Sequence, residues 1–327
     1  MRFDARLDTR TRLLTRSETQ SVLALETLAA SLRCSLARSA ADGLRRERIP
    51  FDVESGSFHL VAGSVHTEQG PRFVTKVNGW FAGGVTGFTV LCNAQDGSVL
   101  AFMDSAALTQ MRTAALTVVA CEALAPPDVE CLGLLGAGRQ ATLQAPAVRL
   151  ATRVERVLVW DIDVVARRRL VSALREDGFE AAEAISAEDC ATRSEVIVSV
   201  VPSTQPILRH DAVTPGTLVI ALGADALGKR EHETGLLQRA KIVTDVTALC
   251  ARYGELQHPI AEGILVTEDV HAELSDVLAG IREGRESPEE VILFDSTGNA
   301  IQDAVAASLI EAHARENQLG TMLDLRG

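Results

Sequence analysis

The stretch CLGLLGAGRQATLQAPAVRLATRVERVLVWDID, from Cys131 to Asp163, limits the possible folds of this 327-residue chain more than any other segment. An apolar run ends at a glycine-rich turn, a helix-like segment follows, and a second apolar run is closed by acids. Short apolar runs bounded by glycine are typical of buried strands. The stretch therefore predicts strand, tight turn, helix and strand, the repeating unit of a parallel α/β sheet.

Gly136, Gly138 and Ala141 form the pattern G-x-G-x-x-A directly after the first predicted strand. The first glycine permits a tight turn, the second lets the backbone approach a pyrophosphate, and the small third residue lets helix and strand pack closely. Asp161 ends the next strand, where its carboxylate can accept hydrogen bonds from ribose hydroxyls. Glycine turns also occur for packing alone, but the complete strand, helix and acid context favours a dinucleotide site.

Two features depart from an ideal dinucleotide-binding unit. Pro146 lies inside the predicted helix, where proline costs about 3 kcal/mol, so we expect a kink or a distorted turn. Arg167, Arg168 and Arg169 follow Asp161 and offer two interpretations, a site for a 2′-phosphate or a solvated helix face. The Asp161 carboxylate would repel a phosphate and favours the second interpretation.

The rest of the chain falls into three zones. Helical spacing of apolar residues predicts an amphipathic helix over 17–44. Glycine-punctuated extended segments over 51–102, with an Asp96-Gly97 turn, predict an antiparallel sheet. Beyond them, apolar strands alternate with helical stretches, and a helical segment from about Ala300 closes the chain. The predicted strands are ECLGLL, RVLVW, EVIVSVV, TLVIALG, AKIVTDV and EVILF.

These patterns predict an α/β protein with two domains. A Rossmann domain, a doubly wound parallel sheet, is expected over 116–299. A second, α+β domain is expected from 1–115 together with 300–327.

Composition excludes several classes of function. The net charge of −12 repels phosphate backbones, so nucleic acid is not an expected partner. No segment approaches the roughly 18 apolar residues of a membrane span, and the amino terminus has no signal-peptide pattern. Six isolated cysteines, without CxxC spacing, indicate reduced thiols in a cytoplasmic protein.

Metal chemistry is not expected either. The seven histidines show no HExxH or paired spacing. We interpret the run Arg-Glu-His-Glu at 230–233 as the surface start of a helix. Gly83-Gly84, after Phe81, is either a flexible loop near a substrate or a plain turn.

Five motifs, in order along nearly the whole chain, resemble the ornithine cyclodeaminase/mu-crystallin family. They are TKVNG at 75–79, LTQMRTAA at 108–115, GLLGAGRQA at 133–141, ALGADALGKRE at 221–231 and LFDSTGNAIQD at 293–303. The family includes cyclodeaminases, amino acid dehydrogenases, ketimine or iminosuccinate reductases and non-catalytic crystallins. The resemblance implies NAD as cofactor and an imine beside a carboxylate as the reacting group. It also implies a homodimer, with the discontinuous domain, 1–115 with 300–327, as the substrate-binding and dimerisation domain.

The resemblance also implies roles for individual residues. Lys76 matches the family lysine that contacts the substrate carboxylate, Arg112 the arginine that shares this contact, and Asp225 the aspartate that exchanges protons at the substrate amine. An ammonium and a guanidinium together bind a carboxylate strongly. Taken alone, Lys76 is better explained as a solvated strand lysine, Arg112 as a helix surface charge and Asp225 as a turn former. Their joint pattern favours the functional roles. The candidate cofactor-binding residues are Gly136, Gly138, Arg139, Gln140, Ala141, Asp161, Val201, Pro202 and Ser203.

The sequence differs from the family where a further arginine usually follows a proline by two residues. Here Pro50 and Phe51 are followed by Asp52. An acid at this place would repel a substrate carboxylate, unless it binds an amine or points away. Arg48 is a candidate to compensate from just upstream, and the change argues against ornithine as the substrate.

We therefore expect an NAD-dependent enzyme that oxidises or reduces the Cα–N bond of a small amino or imino acid. One alternative is a cyclodeaminase that uses NAD catalytically and releases ammonia. Another is a crystallin-like ligand-binding protein without catalysis, against which the intact Lys76, Arg112 and Asp225 argue. The sequence does not specify the substrate side chain.

Overall fold

The computed structural model describes residues 10–21, 24–40, 46–82 and 84–325. The chain divides into two compact units, one formed by 1–112 and 299–327 and the other by 113–298. The first boundary lies inside a long helix, α3 (Ser105–Leu124). Residues 105–112 of this helix belong to the first unit and residues 113–124 to the second.

The first unit is a seven-stranded sheet with three further helices. Its strands are β1 (Arg10–Leu14), β2 (Arg46–Val53), β3 (Gly56–Thr67), β4 (Gly70–Phe81), β5 (Gly84–Asn93), β6 (Val99–Asp104) and β15 (Thr321–Asp324). Its helices are α1 (Arg16–Gln20), α2 (Leu25–Ser39) and α11 (Ala300–Glu316). The strand order is β15-β1-β6-β5-β4-β3-β2.

Strands β2 to β6 form an antiparallel meander, as the glycine-punctuated sequence predicts, and Gly97 turns at φ 77° between β5 and β6. Helices α2 and α11 pack on one face of the meander, where Val61, Val74 and Leu91 are buried. Because side chains alternate between the faces of a strand, the odd and even residues of β4 have different environments.

The amphipathic helix expected over 17–44 is two helices in the structure. Helix α1 ends at Gln20 and α2 runs from Leu25 to Ser39, while residues 41–45 lie outside the described part. A capping box at Thr15, whose hydroxyl and backbone pair with Glu18, starts α1. Apolar periodicity identified the buried face of α2 but not the interruption, because α1 has five residues, too few to show a period of its own.

The second unit is an eight-stranded parallel sheet with helices between its strands. Its strands are β7 (Cys131–Leu135), β8 (Arg156–Trp160), β9 (Glu180–Glu183), β10 (Val196–Ser199), β11 (Leu218–Ala221), β12 (Lys241–Thr244), β13 (Ala272–Glu273) and β14 (Ile292–Asp295). Its helices are α4 (Gln144–Ala151), α5 (Val164–Glu176), α6 (Ala187–Thr192), α7 (Thr234–Arg239), α8 (Thr247–Tyr253), α9 (Gln257–Ala261) and α10 (Leu274–Leu278).

The order β13-β12-β14-β11-β10-β7-β8-β9 is that of a doubly wound sheet, and the predicted fold class is confirmed. All six predicted strands are present. Strands β9 and β13 were not predicted, since one reads EAAE and the other has two residues, too short for an apolar pattern. The carboxyl ends of β7, β10 and β11 are adjacent, which is the place where such sheets bind ligands.

Two simpler expectations concern the chain as a whole. No helix in the described ranges is long and apolar enough to cross a membrane. All six cysteines carry free thiols, and four of them are buried.

Candidate functional site

The glycine-rich turn after β7 is tightly constrained. Gly136 has φ 107°, a conformation that favours glycine. Its N–H donates to the Trp160 carbonyl at 2.8 Å, and a Cβ built on it would lie 3.1 Å from side-chain carbons of Val200 and Val201. A Cβ built on Gly138 meets no atom within 4 Å. The turn thus has the open, side-chain-free surface that a pyrophosphate requires.

The segment after the turn starts as a 3-10 helix over Gln140–Leu143, led by Arg139, and continues as α4. Pro146 lies in the first turn of α4, where backbone N–H groups have no intrahelical acceptor, so its missing donor leaves no carbonyl unpaired. The irregular turn at this place is the 3-10 segment, which precedes Pro146. Ala141 is fully buried, as close packing of helix on strand requires.

Asp161 follows β8 directly and fixes the glycine turn. Its Oδ2 accepts a hydrogen bond from the Ala137 N–H at 2.6 Å, and its Oδ1 accepts one from the Asp163 N–H at 2.8 Å. Each carboxylate oxygen has a second lone pair. Asp161 therefore retains acceptor capacity for ribose hydroxyls while it positions the turn, a second role that the sequence did not indicate.

The three arginines after Asp161 are either close to an acid or exposed. Arg167 Nε lies 2.7 Å and Arg168 Nε 3.4 Å from the carboxylate of Glu183. Arg167 and Arg168 share the Glu183 carboxylate, and Arg168 and Arg169 are exposed. These positions are more typical of a solvated helix face than of a pocket for a 2′-phosphate.

Val201, Pro202 and Ser203 follow β10, next to the glycine turn. The Val201 N–H donates to Glu231 Oε1 at 2.7 Å, and the Gly223 N–H donates to Glu231 Oε2 at 2.7 Å. Glu231 also accepts a short hydrogen bond from the Ser199 hydroxyl. One buried carboxylate thus joins the ends of β10 and β11.

The surface interpretation of 230–233 is wrong for its central residues, since Glu231 and His232 are fully buried. Burial raises the pKa of Glu231 and lowers that of His232 to about 3, so the imidazole is neutral. Glu255 accepts hydrogen bonds from the N–H groups of both residues. Within the described ranges, no group of three His, Cys, Asp or Glu side chains is placed to hold a metal ion.

Asp225 lies in a compact turn that begins four residues after β11. Lys229 Nζ donates to Asp225 Oδ1 at 2.5 Å, and both side chains are less than one-fifth exposed. Gln257 binds the backbone of this turn, donating to the Ala226 and Lys229 carbonyls and accepting from the Gly228 N–H. The turn presents a paired, oriented carboxylate at the ligand-binding edge of the parallel sheet.

Lys76 of β4 and Arg112 of α3 meet at the amino-terminal turn of α11. Lys76 Nζ donates to Asp303 Oδ1 at 2.7 Å and to Thr109 Oγ1 at 3.3 Å. Arg112 Nη1 donates to Gln302 Oε1 at 2.5 Å, and its Nε lies 3.4 Å from the same Asp303 oxygen. We call Lys76, Arg112 and Asp303 the cationic cluster.

The cationic cluster is buried, yet it retains unused donors. Lys76 is 3% and Arg112 8% exposed. Burial lowers the pKa of Lys76 from 10.5 to about 8, against the opposing attraction of Asp303. Lys76 has three N–H donors and Arg112 five, more than their partners in the described residues accept. Sequence reasoning missed Asp303, although it is the last residue of the motif LFDSTGNAIQD.

Arg48 lies on the same row of the sheet as Lys76, because both are in register with Val61 on β3. It is buried, and its Nη2 lies 3.1 Å from His59 Nδ1. Asp52 is exposed near the end of β2. The structure therefore places Arg48, and not Asp52, beside the cationic cluster.

The parallel sheet, glycine turn and Asp161 define a protein of the Rossmann dinucleotide-binding class. Residues 48–318 match the ornithine cyclodeaminase/mu-crystallin family, and the chain belongs to this family, as its motifs indicate. It is 34% identical over 239 residues to alanine dehydrogenase of Archaeoglobus fulgidus, covering 73% of this chain and 74% of that protein. It is 37% identical over 222 residues to iminosuccinate reductase of Paracoccus denitrificans, covering 68% of each.

The fold agrees with solved structures of the family. An archaeal alanine dehydrogenase dimer with bound NAD superposes with a TM-score of 0.91 at 29% identity, covering 97% of this chain and 99% of that one.

Asp161 generates a prediction about nucleotide preference. NADH should bind more tightly than NADPH, because a 2′-phosphate beside this carboxylate meets repulsion of about 1 to 4 kcal/mol. In Asp161→Ser the preference should shrink at least tenfold, and both nucleotides should bind more weakly because Ala137 loses its acceptor. Calorimetry with both nucleotides measures the ratio.

Glu176→Ser removes the same charge from the far end of α5 and should leave the ratio unchanged. Equal affinity of the unmodified protein for the two nucleotides would contradict the role of Asp161.

Proposed function

We propose that this protein is an NAD-dependent oxidoreductase that acts at the Cα–N bond of a small amino or imino acid. The observation that carries the proposal is the cationic cluster, a buried ammonium and guanidinium that share one carboxylate and keep unused donors. The glycine turn and Asp161, which fit a dinucleotide, and the activities named for the relatives support it.

The cationic cluster is suited to a substrate carboxylate. A guanidinium offers two parallel N–H groups in a plane, and an ammonium adds a third donor from another direction. Because these groups are buried, their attraction for an anion is screened less than at an exposed site. Lys76 and Arg112, with Arg48 nearby, would hold the carboxylate and thereby fix the adjacent Cα and its nitrogen.

Asp225 is the proposed proton carrier at that nitrogen. An ammonium must lose a proton before a hydride can leave Cα, and an imine nitrogen must carry one when a hydride arrives. Lys229 holds Asp225 by a short ion pair, which fixes the orientation of the carboxylate. NAD, when bound, would supply the hydride acceptor or donor at its nicotinamide ring.

A substrate screen tests the proposed function. Purified protein is incubated with single amino acids and NAD, and with 2-oxo acids, ammonia or methylamine and NADH. We expect a net change in absorbance at 340 nm with at least one small substrate. Ammonia release without such a change would instead identify a cyclodeaminase, and inactivity with all of them would contradict the proposal.

Asp225→Asn keeps the shape of the side chain but removes its proton exchange. We predict at least a hundredfold loss of kcat, within the range of general acid–base contributions of about 10²- to 10⁴-fold, with NADH affinity unchanged. The comparison uses steady-state kinetics across pH with the substrate found in the screen. Retention of more than about a tenth of kcat with the same pH profile would assign the proton transfer to another group.

We further propose that the chain forms a homodimer through the sheet face opposite α2 and α11. Seven apolar side chains point to this face by the strand register, and each is 38–53% exposed. They are Leu13, Ile49, Phe51, Val53, Phe58, Phe73 and Phe88. A continuous apolar patch of this kind is typical of a protein–protein interface, and a second copy would cover it with an identical surface.

Charge on this face should separate the copies. We predict that Phe51→Asp combined with Phe73→Asp yields monomers, because each carboxylate would lose its hydration in the interface. Light scattering coupled to gel filtration measures the mass. Ile185→Asp, which alters an 88% exposed apolar residue of the second unit, should stay dimeric. A monomeric unmodified protein, or a dimeric double variant, would contradict this interface.

A further inference from the structure

We propose that Asp303 is a positioning residue for the substrate carboxylate, which keeps Lys76 charged and fixes it relative to Arg112. The inference rests on the proposed function and adds a residue that acts through its neighbours.

Both cations approach one oxygen of Asp303. Lys76 Nζ lies 2.7 Å and Arg112 Nε 3.4 Å from Oδ1, so this atom sets the separation of ammonium and guanidinium. Two like charges at this distance repel, and an opposite charge between them offsets the repulsion. Without the carboxylate, Lys76 and Arg112 would separate or one would lose its proton.

The location on α11 stabilises the charge of Asp303. Asn299 caps the helix by accepting a hydrogen bond from the Ile301 N–H, and Asp303 is the fourth helical residue. The positive end of the helix dipole favours an anion near this end. Asp303 is only 1% exposed and lies at the end of α11 where the helix dipole complements a negative charge.

Stability alone does not account for Asp303. Its Oδ2 is buried and has no hydrogen-bond partner in the described ranges. A buried ion pair contributes little net stability once desolvation is included, and an unsatisfied buried oxygen lowers it further. The arrangement is better explained if Asp303 keeps Lys76 protonated and holds its ammonium group in one orientation.

The charges around Lys76 determine which group responds when Asp303 is neutral. Lys76 faces Asp303 on α11, Arg112 and Thr109 on α3, and Arg48 on β2. Asp303 is the one carboxylate among these groups. Guanidinium groups do not release protons in proteins, so loss of the negative charge must favour the neutral amine of Lys76.

The charges around Lys76 determine how substrate binding should change with pH. With Asp303 in place, the pKa of Lys76 is about 8, so the ammonium is present below pH 8 and lost as pH rises through 8. Substrate KM should rise over that interval. In Asp303→Asn the rise in KM should occur at lower pH, because the attraction of Asp303, which raises the pKa of Lys76 against the effect of burial, is removed.

The experiment measures kcat and KM from pH 6 to 10 with the substrate found in the screen. For Asp303→Asn we expect the basic limb of kcat/KM to move down by at least about one pH unit. At pH 8, KM should rise at least about tenfold, while kcat at saturation changes much less. Asp303→Glu, which keeps the charge, should retain the limb near its original pH.

Glu311→Gln is the matched control, since Glu311 is a buried acid two turns further along α11. Its profile should equal that of the unmodified protein. If Asp303→Asn fails to fold, a double variant that combines Lys76→Met and Asp303→Asn replaces it. This variant removes one cation and one anion together, so that no buried charge of the Lys76–Asp303 pair is left unpaired. That double variant and Lys76→Met alone should both lack the basic limb and have the same KM.

Two results would overturn the inference. One is an unshifted limb and unchanged KM in Asp303→Asn. The other is a double variant whose KM or pH profile differs from that of Lys76→Met, since Asp303 would then act independently of Lys76. Failure of the proposed function is distinguishable, because the unmodified protein would then turn over no amino or imino acid.

Discussion

The hydrogen bonds of Glu231 are the interaction on which the ligand-binding edge of the second unit depends. A single carboxylate, fully removed from water, accepts from Ser199, Val201 and Gly223 and so joins the ends of two neighbouring strands. Backbone N–H groups at the ends of strands have no partner in the sheet, and a buried acceptor satisfies them where water does not reach. The glycine turn and the Asp225 turn are both built next to this junction.

Buried acids perform related tasks elsewhere in the chain. Asp245 accepts hydrogen bonds from Ser296 and Gly298, and Glu255 accepts from the backbone of residues 231 and 232. Burial raises the pKa of Asp295 to about 8. The pKa of Glu255 is also raised, first by burial and then by the neighbouring Glu231. In the first unit, Asp303 binds side chains and not backbone, which distinguishes it from this group of acids.

Much of the fold could be predicted from local patterns. The six apolar strands are visible because short apolar runs alternate with helical stretches along the chain. The glycine turn is visible because strand pattern and turn chemistry agree over 131–163. The break between α1 and α2 and the strands β9 and β13 were missed, because short elements have too few residues to show a period.

The candidate site was predictable to a different degree. Lys76, Arg112, Asp225 and Asp161 stand out through their motifs, whereas Glu231 and Asp303 require knowledge of burial. A charged residue such as Glu231 is expected at the surface when only the sequence is known. Its burial and its backbone hydrogen-bond partners depend on elements that are distant in the sequence. The contact between Lys76 and Asp303 spans 227 positions, which no local pattern records.

The bond from Ala137 to Asp161 has a consequence for how a nucleotide would be captured. The turn is held by the protein's own carboxylate in the folded chain, with Gly138 left open. A loop that is already ordered loses little conformational entropy when a ligand arrives, so more of the contact energy remains as affinity. Such a loop also requires no rearrangement before encounter, and association would be limited by diffusion and orientation alone.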